Sequence, residues 1–210
     1  MTADGDVREY GTLVGGQWIQ TGRKIEIRSP YDDALVAIVH RAGSAEIDAA
    51  ITAALDAFQV TRHMPSWQRA EILERISAGI TDRREEFART MALEAGKPIK
   101  SARIEADRAA FVFKIAAEEA KRNYGEIVPL DWLPGNERRT AEIRRVSLGV
   151  VAGITPFNYP LNLVAHKVAP ALAAGDPILI RPASQTPISS LLLGEVVLDA
   201  GWPQGGFAVL

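Results

Sequence analysis

The chain has 210 residues, of which 47% are hydrophobic and 24% are charged, as is ordinary for a globular protein with a core of normal size. Its formal net charge of −2 argues against a nucleic-acid surface, which usually shows as a basic excess. It contains no cysteine, which excludes disulfides, thiolate zinc sites and thiol nucleophiles within these residues.

The polar and apolar patterns predict no export signal, membrane span or metal site. Residues 1–10 are acidic and lack an apolar run, unlike a signal peptide. The longest apolar stretches are about half the length of a bilayer crossing. His40, His63 and His166 are far apart in sequence, and His166 is expected to be a packed, hydrogen-bonded residue of an apolar helix. These features predict a cytoplasmic protein without a membrane or nucleic-acid partner.

Residues 12–40 predict a small β segment, because β-forming runs are separated by turn clusters rich in glycine, proline and aspartate. A helix follows Ser44, which is a candidate N-cap. Its apolar stripe at helical spacing comprises Ile47, Ala50, Ile51, Ala54, Leu55 and Phe58. This spacing predicts one amphipathic helix.

Three more helices are predicted before residue 123. One begins near Pro65. Its predicted buried side comprises Trp67, Ala70, Leu73, Ile76 and Ile80. The next runs over 82–94 and stops at Gly96. The last spans roughly 99–122 and has small residues on one face, which permit close helix packing. That face comprises Ala102, Ala106, Ala109, Phe113 and Ala116.

Residues 123–147 predict a β-hairpin. Two β-capable runs, 126–133 and 140–146, flank a Pro-Gly-Asn turn at 134–136. The second run alternates in polarity, so one of its sides faces water or a partner.

Residues 148–210 predict an α/β fold. The elements are a strand at 149–154, a helix at 160–174, a strand at 177–180, a helix at 187–200 and a strand at 206–210. This βαβαβ order is the half-unit of a doubly wound, Rossmann-like parallel sheet, whose ligands bind at the carboxyl ends of the strands. Because so few strands leave an apolar edge open, we expect an incomplete, truncated sheet.

Five motifs, two of them in loops at the predicted ligand edge, resemble one enzyme family. They are GVVAGITPFNYPL at 149–161, KVAPALAAG at 167–175, RPAS at 181–184, EAGKP at 94–98 and GGQW at 15–18. In this order and at this spacing they closely resemble the aldehyde dehydrogenase superfamily.

The resemblance implies the N-terminal portion of an NAD(P)-dependent aldehyde dehydrogenase. Residues 1–122 are then the N-terminal β segment and helices of the cofactor-binding domain, and residues 148–210 begin its Rossmann-like sheet. Residues 123–147 are an oligomerisation-type hairpin that joins the subunits of a homo-oligomer, a dimer or a tetramer. A solvated charge run is the alternative interpretation of the arginines in this hairpin. The catalytic domain is expected to be absent.

Asn158 is the catalytic residue that the resemblance implies. In the family a cysteine thiolate attacks the aldehyde carbonyl, and this asparagine amide and a backbone N–H hold the resulting oxyanion. An amide suits the task because it donates without carrying charge or titrating. The alternative is that Asn158 only satisfies a helix terminus beside Pro160. Thr155, Pro156 and Phe157 are expected along the nicotinamide half of the cofactor, or simply as a strand-end turn.

Arg181, Ala183 and Ser184 are the expected cofactor-binding residues of the second loop. Arg181 replaces the lysine that reaches the adenosine ribose in the family, and its planar fork changes the contact geometry. A solvated cation is the alternative for this side chain. Ser184 stands where NAD-preferring relatives often have glutamate, which repels a 2′-phosphate. Since serine lacks that repulsion and Arg181 can pair with phosphate, either NAD or NADP is expected to bind.

The implied function is oxidation of a small aldehyde to a carboxylate with NAD(P). The chain lacks the family's nucleophilic thiol, so we expect this polypeptide alone to be inactive. The alternative is a non-catalytic remnant that binds nucleotide weakly or associates with a partner subunit. An acylating relative that uses coenzyme A or a phosphorylated acyl substrate also stays open, and these residues do not identify the aldehyde.

Overall fold

The computed structural model describes residues 7–210, so most of the acidic segment 1–10 lies outside the described residues. The strands are β1 (Glu9–Tyr10), β2 (Thr12–Val14), β3 (Gln17–Ile19), β4 (Lys24–Arg28), β5 (Leu35–His40), β6 (Glu126–Pro129), β7 (Thr140–Ile143), β8 (Val151–Ile154), β9 (Ile178–Arg181) and β10 (Phe207–Val209). The helices are α1 (Ser44–Thr61), α2 (Ser66–Asp82), α3 (Arg84–Ala95), α4 (Ile99–Ala120), α5 (Asn162–Ala174) and α6 (Ile188–Asp199). The predicted elements are present in the predicted order, with ends displaced by a few residues.

A five-stranded sheet in the order β3-β2-β10-β9-β8 carries the α/β part of the molecule. Strands β8, β9 and β10 are parallel, and Ile178 of β9 is in register with Val151 on one side and Phe207 on the other. Helices α5 and α6 make the two crossovers between them. The predicted Rossmann-like arrangement is confirmed. Among residues 7–210, no helix combines the length and hydropathy that a membrane span requires.

The N-terminal hairpin β2–β3 extends this sheet, a connection that the sequence did not predict. Leu13 of β2 lies antiparallel opposite Val209 of β10, and Thr12 Oγ1 donates to the Val209 carbonyl at 2.6 Å. The turn at Gly15 and Gly16 has φ values of 61° and 79°, which glycine adopts without steric cost. All three residues of β2 are buried, so this strand is part of the core, whereas β3 forms the more exposed edge of the sheet.

Helix α4 is central to the helical layer and packs against α2, α3 and α5. Its predicted packing face is confirmed, because Ala102, Ala106, Ala109, Phe113 and Ala116 are all buried. The alanines allow the helix axes to approach closely, and Phe113 fills the remaining space. The predicted face of α2 is also buried, except at Trp67, which is 59% exposed.

Helix α1 differs from its prediction in both its cap and its buried face. The N-cap is Gly43 rather than Ser44, and the Gly43 N–H donates to the Glu46 carboxylate at 2.6 Å. The buried residues of the helix include Ala50, Ala54 and Ala57, whereas Ile47, Ile51 and Leu55 are exposed. The helix packs on β2 and β9 through its small side chains. The larger side chains of the predicted stripe therefore remain outside the core, on the exposed side of the helix.

Strands β6 and β7 form the predicted hairpin, although their paired region is shorter than expected. Ile127 pairs with Glu142, and Val128 with Ala141. Five large apolar side chains of this region are 49–83% exposed, namely Ile127, Trp132, Leu133, Ile143 and Val146. So much exposed apolar surface in one segment is typical of an interaction site.

Candidate active site

Two loops meet at the carboxyl edge of the parallel strands. Ile154 ends β8 and Arg181 ends β9, and the two residues are in register. The Thr155 N–H donates to the Arg181 carbonyl at 3.2 Å, which extends the ladder by one bond beyond the strands. The loop 155–160 and the loop that begins at Pro182 therefore leave the sheet side by side.

The predicted site residues differ in their exposure. Pro156, Phe157 and Asn158 are exposed, and so are Arg181 and Ser184, while Ala183 is half-buried. Thr155 is only 5% exposed, and its Oγ1 has no hydrogen-bond partner among the described residues. The first loop thus offers an amide to solvent and a buried hydroxyl with unused hydrogen-bonding capacity.

A cavity of about 540 Å³ opens at these strand ends, a size typical of small-molecule sites. Arg181 and Ser184 line it, together with Ile154 and apolar side chains of α1. The exposed isoleucines of α1 therefore have a place in the site rather than in the core. The residues 155–158 and Ala183 lie outside the lining of this cavity.

A buried ion pair that the sequence analysis did not single out holds the chain around Asn158. Glu105 of α4 is 1% exposed and pairs with the Lys97 ammonium. Its Oε1 accepts from the N–H groups of Leu161 at 3.0 Å and Asn162 at 3.1 Å, which caps the start of α5. Lys97 Nζ also donates to the Asn158 carbonyl at 3.3 Å.

A second buried carboxylate caps the helix after the other loop. Glu94 of α3 accepts from the N–H of Ile188 at 2.7 Å and of Ser189 at 3.0 Å, and the Ser189 hydroxyl also donates to it. Burial raises the pKa of Glu94 to about 7, against the lowering effect of these three donors, and the nearby charge of Glu105 adds to the rise. Each loop of the site therefore leads into a helix that is capped by a carboxylate from the helical layer.

The aldehyde dehydrogenase family model matches residues 18–210 of the chain. The chain belongs to the aldehyde dehydrogenase family. It is 42% identical over its whole length to 3-sulfolactaldehyde dehydrogenase of Priestia aryabhattai, of which it covers 44%. It is 38% identical to aspartate-semialdehyde dehydrogenase 1 of Pseudomonas canavaninivorans, with 86% of this chain and 38% of that protein covered. The chain thus spans less than half the length of these curated relatives.

Solved aldehyde dehydrogenases share the fold. Aldehyde dehydrogenase 21 of Physcomitrella patens, in complex with the reaction product succinate, superposes with a TM-score of 0.94 at 38% identity, over 98% of this chain and 43% of that one. The NADP-dependent glyceraldehyde-3-phosphate dehydrogenase of Bacillus halodurans, complexed with NADP, gives a TM-score of 0.92 at 33% identity, over 96% and 43%. The family and fold expected from the motifs are confirmed.

The two capping glutamates of this aldehyde dehydrogenase chain carry a weak sequence signal that was missed. Glu105 lies three residues after Ala102 and beside Ala106 on the buried face of α4. Glu94 lies three residues after Met91 on the buried face of α3. A carboxylate on an apolar helix face indicates a buried partner, but the sequence does not tell which backbone groups it meets.

The expectation for His166 was wrong. This residue is exposed and lines a second cavity, of about 930 Å³, together with Phe111, Ile115 and Tyr124. The apolar run around His166 made it look like a core position. On α5, however, the buried side is filled by Val164, Ala165 and their neighbours, and His166 falls outside it, where α5 borders the cavity beside α4.

Proposed function

We propose that the chain is the cofactor-binding part of an enzyme that oxidises an aldehyde to a carboxylate with NAD(P), through a cysteine thiohemiacetal. The hydrogen bond from Thr155 to Arg181 is the observation that carries the proposal. It holds the two motif loops together at the carboxyl ends of parallel strands, where dinucleotides bind in such sheets. Bound NAD(P) would supply the hydride acceptor.

Asn158 is proposed as the oxyanion donor. Its exposure leaves its amide accessible to a substrate, and its backbone is held by Lys97. A neutral amide that is fixed in place stabilises developing negative charge without titrating. This support is independent of the reading of Asn158 as a helix cap, because Glu105 accepts from the first N–H groups of α5.

Arg181, Ala183 and Ser184 are proposed to hold the adenosine ribose, and Thr155, Pro156 and Phe157 to lie along the nicotinamide half. The residues fit a dinucleotide in two respects. The cavity beside Arg181 and Ser184 has the volume of a ligand site, and the Thr155 hydroxyl is buried without a partner among the described residues. This lining is compatible with both NAD and NADP, because Arg181 presents a cation and position 184 is a serine rather than a carboxylate that would repel a 2′-phosphate.

Both NAD⁺ and NADP⁺ are expected to bind the chain, and Ser184→Glu is expected to weaken NADP⁺ binding about tenfold relative to NAD⁺ through repulsion of the 2′-phosphate. Arg181→Met should weaken NADP⁺ binding about 10- to 100-fold, the range expected for a lost hydrogen bond to a charged group. Isothermal titration of the purified chain measures both. Arg89→Met, which removes an exposed arginine on α3, is the matched control. A hundredfold preference of the native chain for NAD⁺ would contradict the NADP proposal.

A non-catalytic role is the second candidate, and the lack of cysteine among the 210 residues favours it for this polypeptide by itself. We propose that the isolated chain has no aldehyde oxidation activity, because no thiol is available to form the thiohemiacetal. An aldehyde-dependent rise in NADH or NADPH absorbance by the purified chain would overturn this. The sequence encoded after residue 210 separates the two candidates, since a continuing frame with a cysteine favours the enzyme.

The hairpin β6–β7 is proposed to join subunits of a homo-oligomer. Ile127→Asp and Trp132→Asp place charges on its exposed apolar surface and are expected to shift the chain toward monomer, because buried unpaired charges oppose association. Sedimentation velocity over a concentration series measures the shift. Tyr31→Asp changes a side chain that is 92% exposed elsewhere and should leave the distribution as it is. Unchanged association of both hairpin variants would exclude this surface.

A further inference from the structure

We propose that Lys97 and Glu105 are positioning residues that fix the direction of the Asn158 side chain. The inference rests on the proposed function, in which the Asn158 amide holds an oxyanion. It assigns a role to Lys97 of the EAGKP segment and to the carboxylate of α4, neither of which was among the predicted site residues. The two side chains act through the backbone of Asn158 itself and of the residues that follow it.

Glu105 fixes the chain on the C-terminal side of Asn158. Its Oε1 accepts from two successive N–H groups, those of Leu161 and Asn162, at 3.0 Å and 3.1 Å. Charged acceptors make stronger hydrogen bonds than neutral ones, and the first N–H groups of a helix have no partner within the helix. The start of α5 is thereby tied to α4, which anchors the C-terminal end of the loop that contains Asn158.

Lys97 fixes the backbone of Asn158 itself. Its Nζ donates to the Asn158 carbonyl at 3.3 Å and lies 3.8 Å from the centroid of the Tyr159 ring. An ammonium over a ring is attracted by the electron-rich face. Residues 158 and 159 are thus both held by one cation, and the Asn158 side chain is exposed.

The ion pair makes the two contacts interdependent. The side chains of Lys97 and Glu105 are only 14% and 1% exposed, so removing either partner leaves a poorly solvated charge. Lys97 is held near the loop by Glu105, and Glu105 has the Lys97 ammonium as its partner beside the amides. We therefore expect substitutions at either residue to disturb Asn158 in the same direction.

Helix capping alone does not account for this arrangement. Glu94 caps α6 by the same means, with bonds to Ile188 and Ser189, and its described contacts include no lysine. At α5, by contrast, the Lys97 ammonium reaches beyond the helix terminus to the carbonyl of Asn158. Of the two capped helices, only α5 has such a cation among the described contacts. Glu94 is accordingly a matched control for a cap without a positioning role.

The test is nuclear magnetic resonance of the ¹⁵N-labelled 210-residue chain, native and with Lys97→Met, Glu105→Gln or Glu94→Gln. The side-chain NH₂ signals of Asn158 are assigned by their loss in Asn158→Ala. Lys97→Met and Glu105→Gln are expected to shift or broaden these signals, and Glu105→Gln should also speed exchange of the Leu161 and Asn162 amides about tenfold, as for a lost charge-assisted bond. Glu94→Gln should affect the Ile188 and Ser189 amides instead.

If the Asn158 side-chain signals of both Lys97→Met and Glu105→Gln match those of the native chain, the proposal is overturned. If the Leu161 amide nevertheless exchanges faster in Glu105→Gln, Glu105 only caps α5 and does not position Asn158. The same disturbance of Asn158 in Glu94→Gln would also overturn it, because the effect would then be a general loss of packing. These measurements need no cofactor. Adding NADP⁺ to the native chain tests the proposed function separately, through the amides of Thr155 and Ser184.

Discussion

The Glu94→Gln chain is expected to lose a pH dependence of stability that amounts to about 3 kcal/mol in the native chain. Burial raises the pKa of Glu94 from 4.5 to about 7. Between these values the folded state binds the proton that the unfolded state has released, so the free energy of unfolding falls as pH rises. The contribution is complete below about pH 4.5 and is lost by about pH 7 to 8. Glutamine does not titrate, and its variant should lack this fall.

Urea unfolding at about pH 5 and about pH 8 measures the effect as the difference between native and variant chains, in which other groups cancel. Glu71→Gln, which removes an exposed carboxyl of α2, should preserve the native pH dependence. Parallel profiles for the native and Glu94→Gln chains would show that the three donors of Ile188 and Ser189 outweigh the cost of burial and keep the carboxylate ionised.

Phe113→Ala is expected to destabilise the chain by about 3–5 kcal/mol, the cost of removing a large aromatic side chain from a packed interior. Phe113 is 0% exposed and belongs to α4, which packs against α2, α3 and α5. Phe111→Ala on the same helix is the control, because Phe111 is 60% exposed and should change stability by only about 0.5 kcal/mol.

Thermal unfolding should show a decrease in Tm of about 10 °C for Phe113→Ala and little change for Phe111→Ala. Equal losses in the two variants would mean that the exposed face of α4 is covered in solution. A small loss in both would place the true packing face of α4 elsewhere and would contradict the arrangement of the alanines around Phe113.

The α/β part of the fold was predictable because its signals are local. Continuous apolar runs mark the buried strands, and glycines after the helices mark where each crossover stops: Gly175 follows α5 and Gly201 follows α6, each with a φ of 85°. The meeting of the loops at Thr155 and Arg181 follows from the same pattern, since neighbouring parallel strands end at one edge. The proximity of these two residues therefore follows from the order of the strands and helices along the chain.

The partners of individual side chains were not predictable. Periodicity assigns Glu105 to the inner face of α4, but not to the amides of Leu161 and Asn162, which lie 56 and 57 residues away. Periodicity also predicts an apolar stripe on α1, but it does not show how closely this helix approaches the sheet. Close approach is possible only on the alanines, so the isoleucines of that stripe were left beside the cavity. Such choices depend on long-range packing that a single helical pattern does not contain.

The pairing of β2 with β10 has a consequence for biosynthesis. Thr12 and Val209, which share a hydrogen bond, are 197 residues apart. At ribosomal rates of about 5–20 residues per second, roughly 10–40 s pass between the synthesis of the two. During that interval the β2–β3 hairpin lacks its partner strand, and the nascent polypeptide has to keep Leu13 from aggregating until β10 has been made.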